Sequence, residues 1–178
     1  MSSPETDPTC GVAHGTAAEG PADRVLVAIF ASPVSACLVR YGADLGFRTV
    51  LVEPDAGRRA DAPADVVVPG FDELDDDLTG GTADVVVTDH HREELGVLLR
   101  DALARPVRWV GVMGNPRHEG PHVAALTALG VGAEDIARVH RPIGLDIGSR
   151  TPPEIAVSTL AGLLADRAGR SGGFAHAR

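Results

Sequence analysis

The side chains able to do chemistry fall in a few short stretches, and they are hydrogen-bonding and acidic groups, with no persuasive acid–base pair among them. Thr88-Asp89-His90-His91 places a hydroxyl, a carboxylate and two imidazoles at the end of an apolar run. Gly144-Leu145-Asp146-Ile147-Gly148 sets a carboxylate between two glycines. Ser32 and Ser35 follow the first apolar run, Glu53 ends the second, and Gly114-Asn115 follows the one beginning at Val107. The chemistry these residues suit is binding. Serine hydroxyls at a helix start face phosphate well. An acid at the end of the second strand is where a ribose hydroxyl is held. Thr88, His90 and Asn115 supply hydrogen bonds, and Gly114 and Gly144 allow close backbone approach. Asp146 either holds a ligand amine or hydroxyl or fixes its own loop, with the balance slightly toward the loop. Asp89, His90 and His91 are consecutive, and adjacent side chains rarely aim at one point, so no metal site is assigned. No catalytic residue is assigned either.

The elements that must position these groups alternate between strand and helix. Residues 24–30, RVLVAIF, are short, continuous and rich in β-branched and aliphatic side chains, as a strand buried on both faces is. Val34, Leu38, Tyr41 and Leu45 recur at helical spacing, and Gly46 closes that helix. Further strands are expected at 49–53, 65–69, 84–88 and 107–113, with a short acidic helix or turn at 71–77. Leu95, Leu98, Leu99 and Ala102 mark one helix face, and Val123, Leu126 and Leu129 another. Cys37 reads as a small buried hydrophobe. The last helix opens with Thr151-Pro152-Pro153-Glu154, an N-cap, a proline suited to the first turn and a capping-box acid, and buries Ala156, Leu160, Leu163 and Leu164. Thr151 and Glu154 are assigned to capping first, because an acid at a helix start repels phosphate. Strand–helix alternation predicts an α/β fold: a Rossmann-like, doubly wound, mainly parallel sheet with helices on both faces. The domain is expected over 23–168, with a disordered tail at 1–22, carrying Cys10 and His14, and a flexible tail at 169–178.

The dinucleotide fingerprint is absent. Its three glycines fall on Phe30, Ser32 and Ser35. The first glycine permits the tight turn and the second lets a pyrophosphate reach the backbone. Phe30 at the first position weighs most against ordinary NAD(P) binding, and without that cofactor Glu53 reduces to a solvated strand end.

The run PIGLDIGSRTPPEIAVS, from Pro142 to Ser158, resembles the signature near the C-terminus of the XdhC/CoxI family. These are accessory proteins of molybdenum hydroxylases such as xanthine dehydrogenase and carbon monoxide dehydrogenase. The resemblance extends over about 24–167 and is weakest at the first loop, where family members often carry Gly-Ala-Gly. At the fourth strand the family has Thr-His, where this chain has Thr88-Asp89, with His90 in reach and Glu94 standing for a later acid. At the fifth, Asn115 replaces a serine, and Arg117 and His118 are what remains of a basic pair. The resemblance implies a Rossmann-like domain that handles the molybdopterin cofactor or, less strongly, a nucleotide or NAD(P). It further implies a molybdenum hydroxylase apo-enzyme as partner. Family members carry a cysteine-containing region ahead of this module, which a separate polypeptide would have to supply. The expected site, at the carboxyl ends of strands one, four, five and six, comprises Ser32, Ser35, Glu53, Thr88, His90, Gly114, Asn115, Gly144, Asp146 and Gly148.

Composition narrows the rest. The 178 residues carry a formal net charge of −9, which argues against nucleic acid or an anionic membrane as partner. Two cysteines make no disulfide framework. No apolar run is long enough to span a membrane, and the N-terminus lacks the basic-then-apolar pattern of a secretory signal, so a cytoplasmic location is expected. A homodimer stays open. The alternatives from other classes are an NAD(P)-dependent oxidoreductase and a protein-interaction module that binds no small molecule.

Overall fold

The computed structural model describes residues 24–60, 62–114 and 120–173. The expectations for the tail at 1–22, Cys10 and His14 among them, and for Asn115, Arg117 and His118 lie outside those residues. Six strands form one sheet: β1 (Arg24–Ile29), β2 (Phe47–Val52), β3 (Val66–Val68), β4 (Ala83–Val87), β5 (Trp109–Val112) and β6 (Val139–His140). Every neighbouring pair is parallel, in the order β3-β2-β1-β4-β5-β6. This is the 3-2-1-4-5-6 order of the doubly wound dinucleotide-binding fold. Strand order reverses between β1 and β4, so a crevice opens at their carboxyl ends.

The helices are α1 (Pro33–Asp44), α2 (Ala56–Arg59), α3 (Leu95–Leu103), α4 (Pro121–Ala128), α5 (Ala133–Ile136) and α6 (Pro152–Arg167). Alternation along the central strands feeds both layers. Val25, Val27 and Ile29 of β1 and Val85 and Val87 of β4 pack with Leu95, Leu98, Leu99 and Ala102 of α3. Leu26 and Val86, on the other face, pack with Leu38 of α1 and Ala156, Leu160 and Leu163 of α6. Cys37 is buried there, as its position in a helical pattern suggests. The expected α4 face is only partly realised. Leu126 is buried, but Val123 and Leu129 are each 40% exposed, and buried His122 joins Leu126 instead. Leu45, taken for the α1 stripe, is exposed as well, because it has passed beyond the last turn over the sheet. The acidic segment folds as two 3-10 turns, Phe71–Glu73 and Asp76–Leu78, with Asp75, Asp76 and Asp77 exposed.

The edge strand β3 is short and is pinned through one carboxylate. Asp65 Oδ2 accepts from Thr49 N at 2.7 Å and Thr49 Oγ1 at 2.8 Å, and Asp65 N donates back to Thr49 Oγ1. These bonds, the backbone one foremost, hold the Asp65 carboxyl below its ordinary value. A depressed folded value contributes stability that is present above the unfolded pKa of about 3.9 and is lost as pH falls through the folded value. Asp65→Asn is expected to lower Tm by about 2–4 °C at pH 7. Melting curves of both proteins should converge toward pH 3, and a gap constant with pH would refute the assignment.

Candidate functional site

The crevice between β1 and β4 is built from a loop that keeps the backbone of the missing fingerprint while changing its side chains. Phe30 stands where the first glycine is expected and takes the left-handed conformation that glycine takes, with φ +73°. Such a conformation costs a bulky residue about 1–3 kcal/mol. It is offset because the ring is fully buried in the α3-side core, and burying a phenylalanine stabilises by about 3 kcal/mol or more. The aromatic side chain therefore turns into the core and leaves the crevice on the α1 side unfilled.

Ser32 is the N-cap of α1, and its partner Ser35 completes a reciprocal capping box. Ser32 Oγ accepts from Ser35 N at 3.0 Å, and Ser35 Oγ accepts from Ser32 N at 2.8 Å. Ser32 Oγ also donates to Thr88 Oγ1 at 3.0 Å, across the switch point. Thr88 Oγ1 in turn donates to the carbonyls of Ile29 and Phe30. The structure thus brings Ser32, Ser35 and Thr88 together, and it commits their hydroxyls to one another and to the loop.

Glu53 departs from both sequence expectations, being neither a solvated strand end nor open to a ribose. Its side chain is fully buried. One carboxylate oxygen accepts from Ala31 N at 2.7 Å and the other from Asp55 N at 2.8 Å. Arg92 donates to both, at 3.1 and 3.2 Å. Its guanidinium also bonds Glu94 and lies 4.7 Å from the centroid of the Phe30 ring. Arg92 went unread because it belongs to no periodic pattern. The signal available was an arginine just past the β4 tip, where the fold brings β2 and β4 to either side of β1.

Beside the Ser32 turn is a cleft of about 430 Å3, within the size range of small-molecule sites. Ala36 and Val39 of α1, Leu51 of β2, and Ala62 and Pro63 give it apolar walls, and Ser32, Ser35 and Arg58 add polar groups.

At the other end of the rim, His90 follows β4 and Gly114 follows β5. Burial, then His91 and Arg141, hold the His90 imidazole below its ordinary value. The His90 and His91 rings lie 4.1 Å apart, and Asp89 accepts from His91 N, which fixes the turn. Among the described residues no group of three His, Cys, Asp or Glu side chains is placed to hold a metal ion.

The bend at Gly144, Asp146 and Gly148 does not share this rim. Both N-termini, of α1 and α6, face the carboxyl ends of the strands, but the bend runs down the flank of α6. Leu145 N donates to Ser158 O at 3.1 Å, and Ser158 Oγ donates to Leu145 O at 2.6 Å. Asp146 lines a separate hollow with Leu145, Ile147 and Ser171–Gly173, residues that follow the far end of α6. That far end is at the amino side of the sheet, where Arg167 bonds Asp84 and Thr82 O at the start of β4. Gly144 is explained by packing. Its φ is +86°, and a Cβ there would lie 3.2 Å from the α6 backbone at Ser158 and Thr159. Glu154 accepts from Arg150 N at 2.8 Å and Thr151 N at 3.0 Å, as capping predicts.

Comparison with known proteins agrees with the strand order. Residues 26–163 match the XdhC Rossmann domain. The protein described as uncharacterized protein YqeB of Escherichia coli (strain K12) is 35% identical over 90 residues, which are 51% of this chain and 16% of that protein. A crystal structure described as a xanthine dehydrogenase from Bacillus halodurans superposes with a TM-score of 0.65 at 21% identity, over 86% of this chain and 45% of the other. At that identity the likeness concerns the fold, and the chain spans less than half the length of either protein. The match over 26–163, carried by a six-stranded parallel sheet in the doubly wound order, places this chain in the XdhC Rossmann-domain family.

Proposed function

We propose that this domain is an accessory component in the maturation of a molybdenum hydroxylase, holding the molybdopterin cofactor, or a nucleotide, as cargo for an apo-enzyme. The observation that carries the reading is the cleft of about 430 Å3 beside the Ser32 turn, between α1, β2 and Ala62–Pro63, in a sheet whose order belongs to nucleotide-handling folds. The family membership and the name of the structurally similar Bacillus halodurans protein support the choice of client. The cleft's residues suit such cargo. Val39, Leu51 and Pro63 offer apolar contact to a flat heterocycle, and Arg58 offers charge to a phosphate. Arg58 is half exposed and paired only loosely with Asp55, at 3.6 Å, so an anionic ligand can compete for it. Candidate partners are the apo-hydroxylase and a separate polypeptide of the kind that precedes this module in family members. A homodimer is compatible with either.

Titration with molybdopterin and with NAD(P) and nucleotides, followed by mass measurement of what co-purifies, tests the reading. Retention of about one equivalent of molybdopterin or nucleotide is expected. Stoichiometric NAD(P) binding with hydride transfer would instead make the protein an oxidoreductase, against the engagement of Glu53 by Arg92. Binding of none of these ligands would leave an interaction module.

A further inference from the structure

We propose that the cleft beside the Ser32 turn takes a flat heterocycle bearing a single anionic group, gripped at the rim by Arg58, and that it gains nothing from a diphosphate. The inference deepens the reading above and rests on it only for which molecule serves as cargo.

The turn has already spent its donors. In dinucleotide-binding sheets the first turn and the start of the first helix offer free backbone N–H groups to a pyrophosphate. Here Phe30 N donates to Val52 O at 2.9 Å, and Ala31 N donates to Glu53 Oε2 at 2.7 Å. Ser32 N donates to Ser35 Oγ, Ser35 N to Ser32 Oγ, and Ala36 N to Ser32 O. Pro33 has no N–H to give. Between Phe30 and Ala36, the amide of Val34 is the one outside these bonds. The hydroxyl protons are committed as well. Ser32 Oγ donates to Thr88 Oγ1, Thr88 Oγ1 to the carbonyls of Ile29 and Phe30, and Ser35 Oγ to Ser32 O at 2.9 Å. A second phosphate lying on the turn would have to displace one of these bonds for nearly every bond it made, and such an exchange brings little net gain.

The charge of the cleft lies on its other wall. Among the described residues that line it, Arg58 is the one that carries a charge. Its neighbour Arg59 is occupied elsewhere, donating to Glu53 O and Pro54 O at 2.8 Å each and closing the end of β2. The Arg58 side chain is 52% exposed, and its contact with Asp55 is 3.6 Å long. Asp55 meanwhile caps α2, accepting from Gly57 N at 2.8 Å. The ion pair is too long for a hydrogen bond and too exposed to be strong, so an incoming anion can take its place. Between the turn and Arg58, the side chains of Ala36, Val39, Leu51, Ala62 and Pro63 are apolar. The cleft thus runs from a closed turn, across apolar walls, to one available cation. A ring with one anionic substituent matches that sequence of surfaces.

Calorimetric titration of the full chain with paired probes tests this. Pterin-6-carboxylate and 6-hydroxymethylpterin share a ring and differ in charge; AMP and ADP share a nucleoside and differ by a phosphate. Pterin-6-carboxylate is expected to bind about fivefold tighter than 6-hydroxymethylpterin, the advantage of a half-exposed ion pair. That advantage is expected to vanish in Arg58→Gln, to return in part in Arg58→Lys, and to shrink as salt is raised. AMP and ADP are expected to agree within about threefold. A preference of about tenfold or more for ADP would show the turn open to a diphosphate and would overturn the proposal. So would an Arg58→Gln chain that keeps the preference for the carboxylate, or binding of none of the probes. Should a variant fail to fold, the AMP and ADP comparison on the unmodified chain decides. Failure here leaves the molybdopterin co-purification untouched, and the expected probe responses with no molybdopterin or nucleotide co-purifying would sink only the accessory reading.

Discussion

Arg167→Met is expected to destabilise the protein by about 2–3 kcal/mol at neutral pH, lowering Tm by roughly 5–10 °C. The reason lies at the amino end of the sheet. Asp84 of β4 is fully buried, and its two oxygens accept from Arg108 Nε at 2.6 Å and Arg167 Nε at 2.7 Å. Arg108 also bonds Asp166, and Arg167 bonds Thr82 O, so the network ties the end of α6 to β4 and to the entry of β5. Methionine keeps much of the stem's packing and removes the charge. Breaking one partner of a buried pair costs about 3–5 kcal/mol; the cost here falls at or just below the low end of that range because Arg167 is 15% exposed and Arg108 remains. The pH dependence has a definite sign. Burial raises the Asp84 carboxyl, and the two guanidiniums oppose that rise. Losing one raises it further. A carboxyl whose folded value lies above its unfolded value binds its proton first in the folded state, so stability rises as pH falls through that window. The deficit of the variant should therefore shrink as pH falls toward about 4, where the unfolded carboxyl also protonates. A deficit that persists unchanged across that range would show that Arg167 acts through its stem and not its charge.

That network and the Glu53–Arg92 pair share one property that explains why neither is legible in the sequence. Each joins residues 24 or more positions apart, and neither leaves a mark on local periodicity. What periodicity does record was readable. The continuous apolar runs at β1 and β4 and the stripe at Ala156, Leu160 and Leu163 follow from burial on two faces or on one, and the structure has them. The capping of α6 was readable for the same reason, since Thr151 and Glu154 act within one turn. The site was legible only in outline. Ser32, Ser35 and Thr88 do meet at the switch point, because strand order puts β1 beside β4. The bend at Gly144, Asp146 and Gly148 was misplaced, because nothing local distinguishes a loop lining a crevice from one lying along a helix. Gly144 and Gly162 face each other closely, at 3.2 Å from a Cβ built on the latter, and that contact is tertiary. Phe30 shows a different limit. Side-chain identity suggested the tight turn was lost, whereas the turn survives because burial of the ring outweighs the strain.

Glu53→Gln separates a structural carboxylate from a ligand-binding one, and it is expected to destabilise the protein by about 3–5 kcal/mol, the largest effect of any substitution considered. Four donors converge on this fully buried group: the amides of Ala31 and Asp55 and two guanidinium nitrogens of Arg92. Glutamine keeps one accepting oxygen and turns an NH2 toward donors on the other side, so at least one backbone N–H and one guanidinium N–H lose their acceptor inside the protein. Arg92, only 16% exposed, then lies over the Phe30 ring with Glu94 as its remaining counter-charge. Denaturant melts of Glu53→Gln, Arg92→Met and the double variant close a cycle, and a coupling of about 1–3 kcal/mol is expected between the two sites. If Glu53 instead served a ribose, Glu53→Gln would cost little stability and would abolish nucleotide binding. The pair would then uncouple, with a coupling below about 0.5 kcal/mol. The cycle bears on function directly, because an arginine held by the β2 acid occupies the position from which dinucleotide-binding sheets grip ribose. A chain that keeps the strand order and the turn while engaging that acid with its own arginine has no free carboxylate at the β2 end to offer a ribose.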